Sequence, residues 1–322
     1  MMEPHKPLVS VGLPIYNRPE GLRRTLECFI NQTYKNIEII IADNCSPDSE
    51  VEKIAREYAS KDDRISYYRH DKNKGWGFNT NFVIDKAQGD YFLRATDDDW
   101  WDKDFIREIM KGMISGEFIM GFCDFIAVDE TGKKGQHYPD FFPLLNQYSF
   151  RNSNNKLSNY INQFEGFGKS NLYFSIFKTQ ILRSKYVKET LDSEVLAGDL
   201  LINFFCLSKG ELYLVNKILF KVTFGNEKLY DEGLKSNNKS KRFFLIELNL
   251  FKCINTVKRW RTYFTRLNKI IDNSEIYFFK KKRLKAIVFK RKLMLYYDSF
   301  LANIRVRGFD LFKLIRRKYY LE

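Results

Sequence analysis

Leu8-Val9-Ser10-Val11-Gly12-Leu13-Pro14-Ile15-Tyr16-Asn17-Arg18-Pro19 is a short apolar run that stops in a proline-bounded polar loop. Ile37-Glu38-Ile39-Ile40-Ile41-Ala42 is a second such run, and it stops at Asp43-Asn44-Cys45-Ser46. Between them Leu22, Leu26, Phe29 and Ile30 recur at helical spacing. The second run is nearly continuous in β-branched residues, as in a strand covered on both faces. Strand, helix and buried strand make a βαβ unit, which requires a parallel sheet.

The alternation continues outward. Val51, Ile54, Ala55 and Tyr58 mark a second helix, residues 65–68 a short strand, a third helix ends at Ala87, and residues 91–95 form another strand. Such a chain predicts an α/β fold with helices on both faces of the sheet, and ligands then bind beyond the carboxyl ends of its strands. Asp43 lies at one such end. At another stands Phe92-Leu93-Arg94-Ala95-Thr96-Asp97-Asp98-Asp99-Trp100-Trp101. Three consecutive carboxylates repel one another unless a cation sits among them, and Mg²⁺ or Mn²⁺ takes such hard oxygen ligands. A solvated acidic turn ahead of a helix would give the same pattern.

Taken together, several segments resemble family 2 of the inverting glycosyltransferases: Val11-Gly12-Leu13-Pro14-Ile15-Tyr16-Asn17-Arg18, Asn31-Gln32-Thr33-Tyr34, Ala42-Asp43-Asn44-Cys45-Ser46-Pro47-Asp48, Asn73-Lys74-Gly75 with Asn81, Ala87-Gln88-Gly89-Asp90-Tyr91, and the Asp-rich strand end. The resemblance covers about residues 7–230. It implies a GT-A fold with a Rossmann-like, mostly parallel sheet, a nucleotide-sugar donor and a divalent metal. It places Asn44, Gly75 and Asn81 with Asp97 and Asp98 among the nucleotide-binding residues.

Chemistry suggests the individual roles. A uracil ring presents an N3–H donor that Asp43 can accept. In the first strand-end loop, made by Pro14, Tyr16, Asn17 and Arg18, an aromatic face can cover the base and a guanidinium can reach phosphate oxygens. A metal held through Asp99, helped by Asp97 or Asp98, would neutralise the departing diphosphate. The chain departs from the family pattern at this point. Aligned on the following tryptophan, the first aspartate of the usual run falls on Thr96, so the carboxylate that touches the metal stays open among Asp97, Asp98 and Asp99. Thr80 stands where a basic residue is common and Val83 where glycine is common.

Transfer to a hydroxyl also needs a general base. His5, His70 and His137 sit in no motif and read as surface or loop residues. Asp199, in Leu196-Ala197-Gly198-Asp199-Leu200-Leu201, lies where the family carries its catalytic aspartate on a helix start. An N-cap for the helix over residues 200–208 is the plain alternative, and the two roles can coexist. Glu194 is the nearest other carboxylate. Gly168-Lys169-Ser170 is not a P-loop, because Gln163 stands where that motif needs glycine. Residues 165–173 read as a mobile loop on the acceptor side.

Composition sets the rest. Cys28, Cys45, Cys123, Cys206 and Cys253 are scattered without Cys-x-x-Cys spacing and read as reduced thiols. No apolar run reaches bilayer length and the amino terminus lacks a signal-peptide core, so the expected location is cytoplasmic, peripheral at the inner face of a membrane. Residues 235–322 hold 24 Lys+Arg against 6 Asp+Glu, a net +18, whereas residues 1–234 carry −4. The predicted division is therefore a catalytic domain over 1–234 and a basic helical region over 235–322. That region has apolar residues at helical spacing (Phe244, Leu248, Phe251; Phe289, Leu293, Tyr297; Phe312, Ile315, Tyr319) and clusters at Lys280-Lys281-Lys282-Arg283 and Arg316-Arg317-Lys318. Either an anionic membrane surface or a packed helical bundle fits this pattern. Nucleic acid is not expected, since charge comes without a recognition motif.

The expected activity is metal-assisted, inverting transfer of a sugar from a nucleotide-sugar, with UDP as the first choice, to a glycan or lipid-linked acceptor. The alternatives are a nucleotidyltransferase with a similar acidic metal site, or a catalytically inactive glycan- or membrane-binding module.

Overall fold

A computed structural model of the 322-residue chain describes residues 6–129, 131–132, 136–137, 155–163, 169–193, 197–223 and 254–305. The chain divides into two compact units, Met1–Glu227 and Lys228–Glu322. The boundary expected at residue 234 lies outside the described residues.

In the first unit the elements run β1 (Val9–Ile15), α1 (Pro19–Ile30), β2 (Ile37–Asp43), α2 (Ser49–Lys61), β3 (Ile65–Arg69), α3 (Trp76–Lys86) and β4 (Tyr91–Arg94). After the acidic turn come β5 (Trp100–Trp101), α4 (Phe105–Met113), β6 (Phe118–Val128), β7 (Gln136–His137) and α5 (Lys156–Asn162). A 3-10 turn (Ser170–Phe174) then leads to β8 (Ile176–Lys178), α6 (Thr179–Leu182), α7 (Lys185–Asp192), α8 (Gly198–Lys209) and β9 (Glu211–Thr223). The sheet order is β3-β2-β1-β4-β8-β6-β9-β5, with β7 beside β6.

The sheet has two halves of different character. β3, β2, β1 and β4 are parallel, and a helix joins each strand to the next in chain order, as the βαβ reading requires. Beyond β4 the pairing is mixed: β8 is antiparallel to both β4 and β6, β9 runs parallel to β6, and β5 is antiparallel to β9. The β6–β9 pair joins residues about ninety positions apart, such as Phe118 with Glu211. Nothing local in the sequence announces it.

The helical periodicities point inward as expected. Leu22, Leu26 and Phe29 of α1 and Val51, Ile54 and Ala55 of α2 are buried. Thr80 and Val83 of α3, the two departures from the family pattern, are core residues too. Aromatics fill the second half, where Trp101 packs on Phe29, Phe105, Phe174 and Phe220. Burying a ring of that size stabilises by about 1.5–3 kcal/mol.

The second unit is described as two helices, α9 (Ile254–Asn273) and α10 (Phe278–Arg305). Trp260, Tyr263, Phe264, Leu267, Ile270 and Ile271 of α9 and Leu284, Val288 and Leu295 of α10 are buried. Phe289 and Leu293, which read as the apolar face of α10, are exposed instead. Helical spacing alone does not say which of two apolar stripes a neighbour covers. The groups at residues 244–251 and 312–319 lie outside the described residues, as does the side chain of Tyr297.

Among the described residues no helix is long and apolar enough to cross a membrane. Cys28, Cys45, Cys123 and Cys206 are free thiols, Cys123 and Cys206 buried; Cys253 lies outside the described residues.

Candidate active site

The candidate residues gather beyond the carboxyl ends of β1, β2 and β4. Three non-glycine residues take positive φ among the described residues: Asn17 (57°), Cys45 (63°) and Ala197 (59°). Each sits in a loop at a predicted site segment. Left-handed backbone is unfavourable for cysteine and alanine, so the surrounding structure holds these turns in place.

The β1 and β2 loops are tied together. Ser46 Oγ donates to Asp43 Oδ1 (2.6 Å) and accepts from the Asn17 backbone N–H (2.8 Å), while the Asp48 N–H donates to Asn17 Oδ1 (3.3 Å). Asp43 is fully buried, and its carboxylate is saturated. Oδ1 also accepts from the Ser46 N–H (2.8 Å), and Oδ2 accepts from the Tyr67 hydroxyl (3.1 Å) and the Arg69 guanidinium. Asn44 is equally occupied: its side chain donates to Asn73 Oδ1 and to the Gly75 carbonyl and accepts from the Lys74 N–H. These bonds fix Gly75 (φ 87°) at the start of α3. Pro14 lies within β1, and Tyr16 is exposed at the loop tip.

Asn81 turns away from this cluster. Its amide donates to the Lys188 carbonyl (3.1 Å) and to Asp192 (2.6 Å), anchoring α7 against α3. The neighbouring Asn79 does the work at the strand ends. It donates to the Ala42 carbonyl (2.8 Å) and shares a hydrogen bond with His70 Nε2 (2.9 Å). His70 lies in the loop after β3, as the loop reading expects, but it is buried edge-on to Phe78 and Phe82 rather than at the surface. His137 lies in β7, and His5 lies outside the described residues.

At the acidic turn the three aspartates diverge. α1 approaches so closely that a Cβ on Gly21 would fall 1.8 Å from the Asp97 carbonyl oxygen, so only glycine fits there. Thr25 Oγ1 donates to the Thr96 carbonyl (3.0 Å) from the same helix. Arg18 Nη1 meets Asp98 Oδ2 at 2.5 Å and Asp97 Oδ1 at 3.4 Å. The Asp98 side chain is 43% exposed and that of Asp97 12%. Asp99 turns inward: Oδ1 accepts from the Thr223 N–H (2.9 Å) and Oδ2 from Thr96 Oγ1 (2.5 Å). Burial pushes Asp97 up to about 6, Arg18 opposing, and pushes Asp99 up to about 7, with the Asp98 charge adding to the rise. Among the described residues no three His, Cys, Asp or Glu side chains converge to hold a metal. Asp97 and Asp98 could supply two hard oxygens, which suffices for a cation that takes its other ligands from phosphates and water.

Asp199 lies in the first turn of α8, after left-handed Ala197. It is not the N-cap, a position that Ala197 holds without a side-chain bond. Burial raises its carboxyl above the ordinary range; the N–H groups of Leu200 and Asp199 and the charges of Arg94 and Lys169 oppose the rise. Glu194 lies outside the described residues. The described part of the 165–173 segment is packed: Lys169 is buried, donating to the Tyr160 (2.8 Å) and Gln163 (3.3 Å) carbonyls.

Arg94 is the residue that sequence reasoning passed over. Its guanidinium lies 5.1 Å from the Tyr173 ring centroid and 5.9 Å from that of Phe174, and its buried Nε has no hydrogen-bond partner. Its charge acts on Asp97, Asp99 and Asp199 alike. An arginine closing the apolar run Tyr91-Phe92-Leu93 was the available signal.

Comparison with known proteins gives this arrangement a context. The profile described as "Glycosyl transferase family 2" matches residues 10–188. An uncharacterized glycosyltransferase of Haemophilus influenzae is 30% identical over 154 residues, covering 45% of this chain and 60% of that protein. The chain thus matches about three-fifths of that relative's length. Among solved structures, S. aureus TarS residues 1–349 in complex with UDP-GlcNAc aligns over 88% of this chain and 72% of its own, with a TM-score of 0.58 and 16% identity. A mannosyltransferase from Pyrobaculum calidifontis in complex with GDP-Man and Mn²⁺ aligns over 94% and 87%, with a TM-score of 0.50 and 14% identity. At such identities the two structures share the fold alone, and it is the GT-A fold expected from the sequence.

Proposed function

The chain belongs to glycosyl transferase family 2, and from that premise we propose that it moves a sugar from a nucleotide-sugar to a hydroxyl of a glycan or lipid-linked acceptor, with inversion at the anomeric carbon. The observation that carries this reading is the pair Asp97 and Asp98, held at the end of β4 by Arg18, with Arg94 placing positive charge near both that pair and Asp199. The nucleotidyltransferase alternative gives way to the family assignment.

The donor lies across the ends of β1, β2 and β4 in this proposal. Tyr16, exposed at the first loop, covers the base. Asp43 could accept a uracil N3–H only by releasing Tyr67 or Arg69, so we assign it to shaping the loop, with Ser46, Asn17 and Asn44. UDP is the first donor nucleotide to test, because the TarS structure carries UDP-GlcNAc; the GDP-Man of the second structure makes guanosine the next. Asp98, with Asp97 beside it, would hold Mn²⁺ or Mg²⁺. Asp99 supports the turn from within through Thr96 and Thr223. When bound, the cation would supply charge against the departing diphosphate. Arg18, released from Asp98, can then turn its donors to phosphate oxygens.

Asp199 takes the proton of the acceptor hydroxyl. A carboxyl raised by burial is the stronger base once ionised, and ionisation must come first, so activity should rise with pH through a midpoint above the ordinary aspartate range. Asp199→Asn is expected to keep nucleotide binding and melting temperature while lowering turnover roughly 10²–10⁴-fold. Calorimetry with UDP and GDP, followed by transfer assays with the matching sugars, tests both halves. Near-normal turnover in the variant would move the base elsewhere, and a wild-type chain that binds donor without transfer would support the inactive-module alternative.

A further inference from the structure

The second unit carries an exposed aromatic cluster that the catalytic reading leaves unused. The turn from α9 to α10 ends in Tyr277-Phe278-Phe279, with Tyr277 88% and Phe279 82% exposed and Phe278 also open. The Phe278 and Phe279 rings pack edge to face at 5.8 Å, and Lys282 Nζ sits 4.5 Å from the Phe278 ring centroid. Two and three turns beyond Lys282, Phe289 and Leu293 are exposed as well. At about 100° per residue, Phe278, Lys282, Phe289 and Leu293 fall within a stripe about 60° wide, and Leu284, Val288 and Leu295 form a separate one. The latter stripe is buried; the former faces solvent. Helix α10 is therefore apolar on two sides and needs a covering for only one of them within its own unit.

The charge beside the open stripe is mostly basic, with Glu275 an exposed acid in the turn. Lys282, Arg283 and Lys290 are exposed. The acidic Asp272 is paired with Lys285 (2.5 Å), and its carbonyl accepts from Lys281 Nζ (2.7 Å). Aromatic rings at a turn, cations immediately behind them and an apolar stripe along one helix match the depth profile of an anionic bilayer surface. Rings settle at the boundary between headgroups and acyl chains, and long basic side chains reach back to the phosphates. A protein partner would be expected to supply acidic side chains against Lys282 and Arg283 but would not require three adjacent aromatics at a tip.

We propose that the α9–α10 turn is an interfacial anchor for an anionic membrane: Tyr277, Phe278 and Phe279 enter the headgroup boundary, Lys282, Arg283 and Lys290 engage lipid phosphates, and Phe289 and Leu293 lie along the surface. The anchor is independent of the sugar chemistry. It adds a salt-resistant apolar component to the electrostatic attraction expected from the basic sequence alone, because buried apolar area is not screened by ions.

The test is co-sedimentation of the full chain with phosphatidylcholine vesicles, with and without about 30 mol% phosphatidylglycerol, at about 50 mM and about 500 mM salt. Wild type should bind the anionic vesicles and retain part of that binding at high salt. Tyr277→Ser/Phe278→Ser/Phe279→Ser should lose the salt-resistant part, about tenfold or more in partition. Lys282→Glu/Arg283→Glu should weaken binding at low salt and leave the salt-resistant fraction. All five positions are exposed, and unchanged melting curves would confirm that the variants fold. Two results would overturn the proposal: no vesicle binding by wild type, with any self-association lost in the triple serine variant then marking the turn as a contact between copies, or equal vesicle binding by the triple serine variant.

Discussion

Two strands of the same sheet end in aspartate, and the two ends behave differently. At the end of β2, Asp43 is wholly buried and accepts from Ser46 twice, from Tyr67 and from Arg69, whose charge balances its own. At the end of β4, Asp99 is nearly as deeply placed and Asp97 less so; burial pushes them up to about 7 and about 6, and the exposed Asp98 pairs with Arg18. A buried carboxylate with a full set of donors stabilises a loop. A buried carboxylate with too few is held there against its own solvation, and a cation arriving beside it relieves the strain.

The comparison breaks first at Asp98. If the β4 end is the cation site, Asp98→Ala should cut transfer roughly 10²–10³-fold, the usual worth of one electrostatic contact to developing charge, and remove the Mn²⁺ dependence of nucleotide affinity. Calorimetry with and without Mn²⁺ decides it, and an unchanged metal effect would return the role to Asp99. At the β2 end the expected loss is in folding. Asp43→Ala leaves the Arg69, Tyr67 and Ser46 donors without their acceptor and should cost about 2–4 kcal/mol, read from denaturant midpoints. A cost below about 1 kcal/mol would mean that water replaces the carboxylate and that Asp43 is free for base recognition.

Acidity sharpens the same contrast with a smaller effect. Because Asp97 and Asp99 titrate above the unfolded value near 4, the folded chain holds more protons than the unfolded one between about pH 4 and 7. Stability without metal should therefore fall as pH rises through that window, and Mn²⁺ should raise the melting temperature more at pH 7.5 than at pH 5. A melting temperature that climbs across the window without metal would show that the folded chain does not hold these extra protons. The smallest effect is expected for Asp99→Asn, which mimics the protonated acid. It should leave the melting temperature at pH 5 unchanged and raise it at pH 7.5 by about 2–4 °C.

Much of this protein was determined by the sequence alone. The strands at β1, β2, β3 and β4 and the helices between them follow from hydrophobic period and from runs no longer than a dozen residues, because a βαβ unit is assembled from neighbours in the chain. The same logic located Asp43 and the acidic turn, while the resemblance to family 2 pointed to Asp199 at a helix start. Long-range packing set what each carboxylate faces. Asp99 points inward because its partner N–H comes from Thr223, 124 residues later, on a strand whose pairing with β6 is non-local. Asn79 rather than Asn81 reaches the strand ends because Gly77 lets α3 press against α7, where a Cβ would fall 2.0 Å from the Leu191 carbonyl oxygen. Arg94 stands near both acidic groups because Tyr173 and Phe174 stack on it from a segment eighty residues away. The apolar stripe at Phe289 and Leu293 faces solvent because α9 covers the other side of α10. Residue type and spacing fix which groups can do chemistry; long-range packing fixes which of them are left without a partner and so remain available to a ligand.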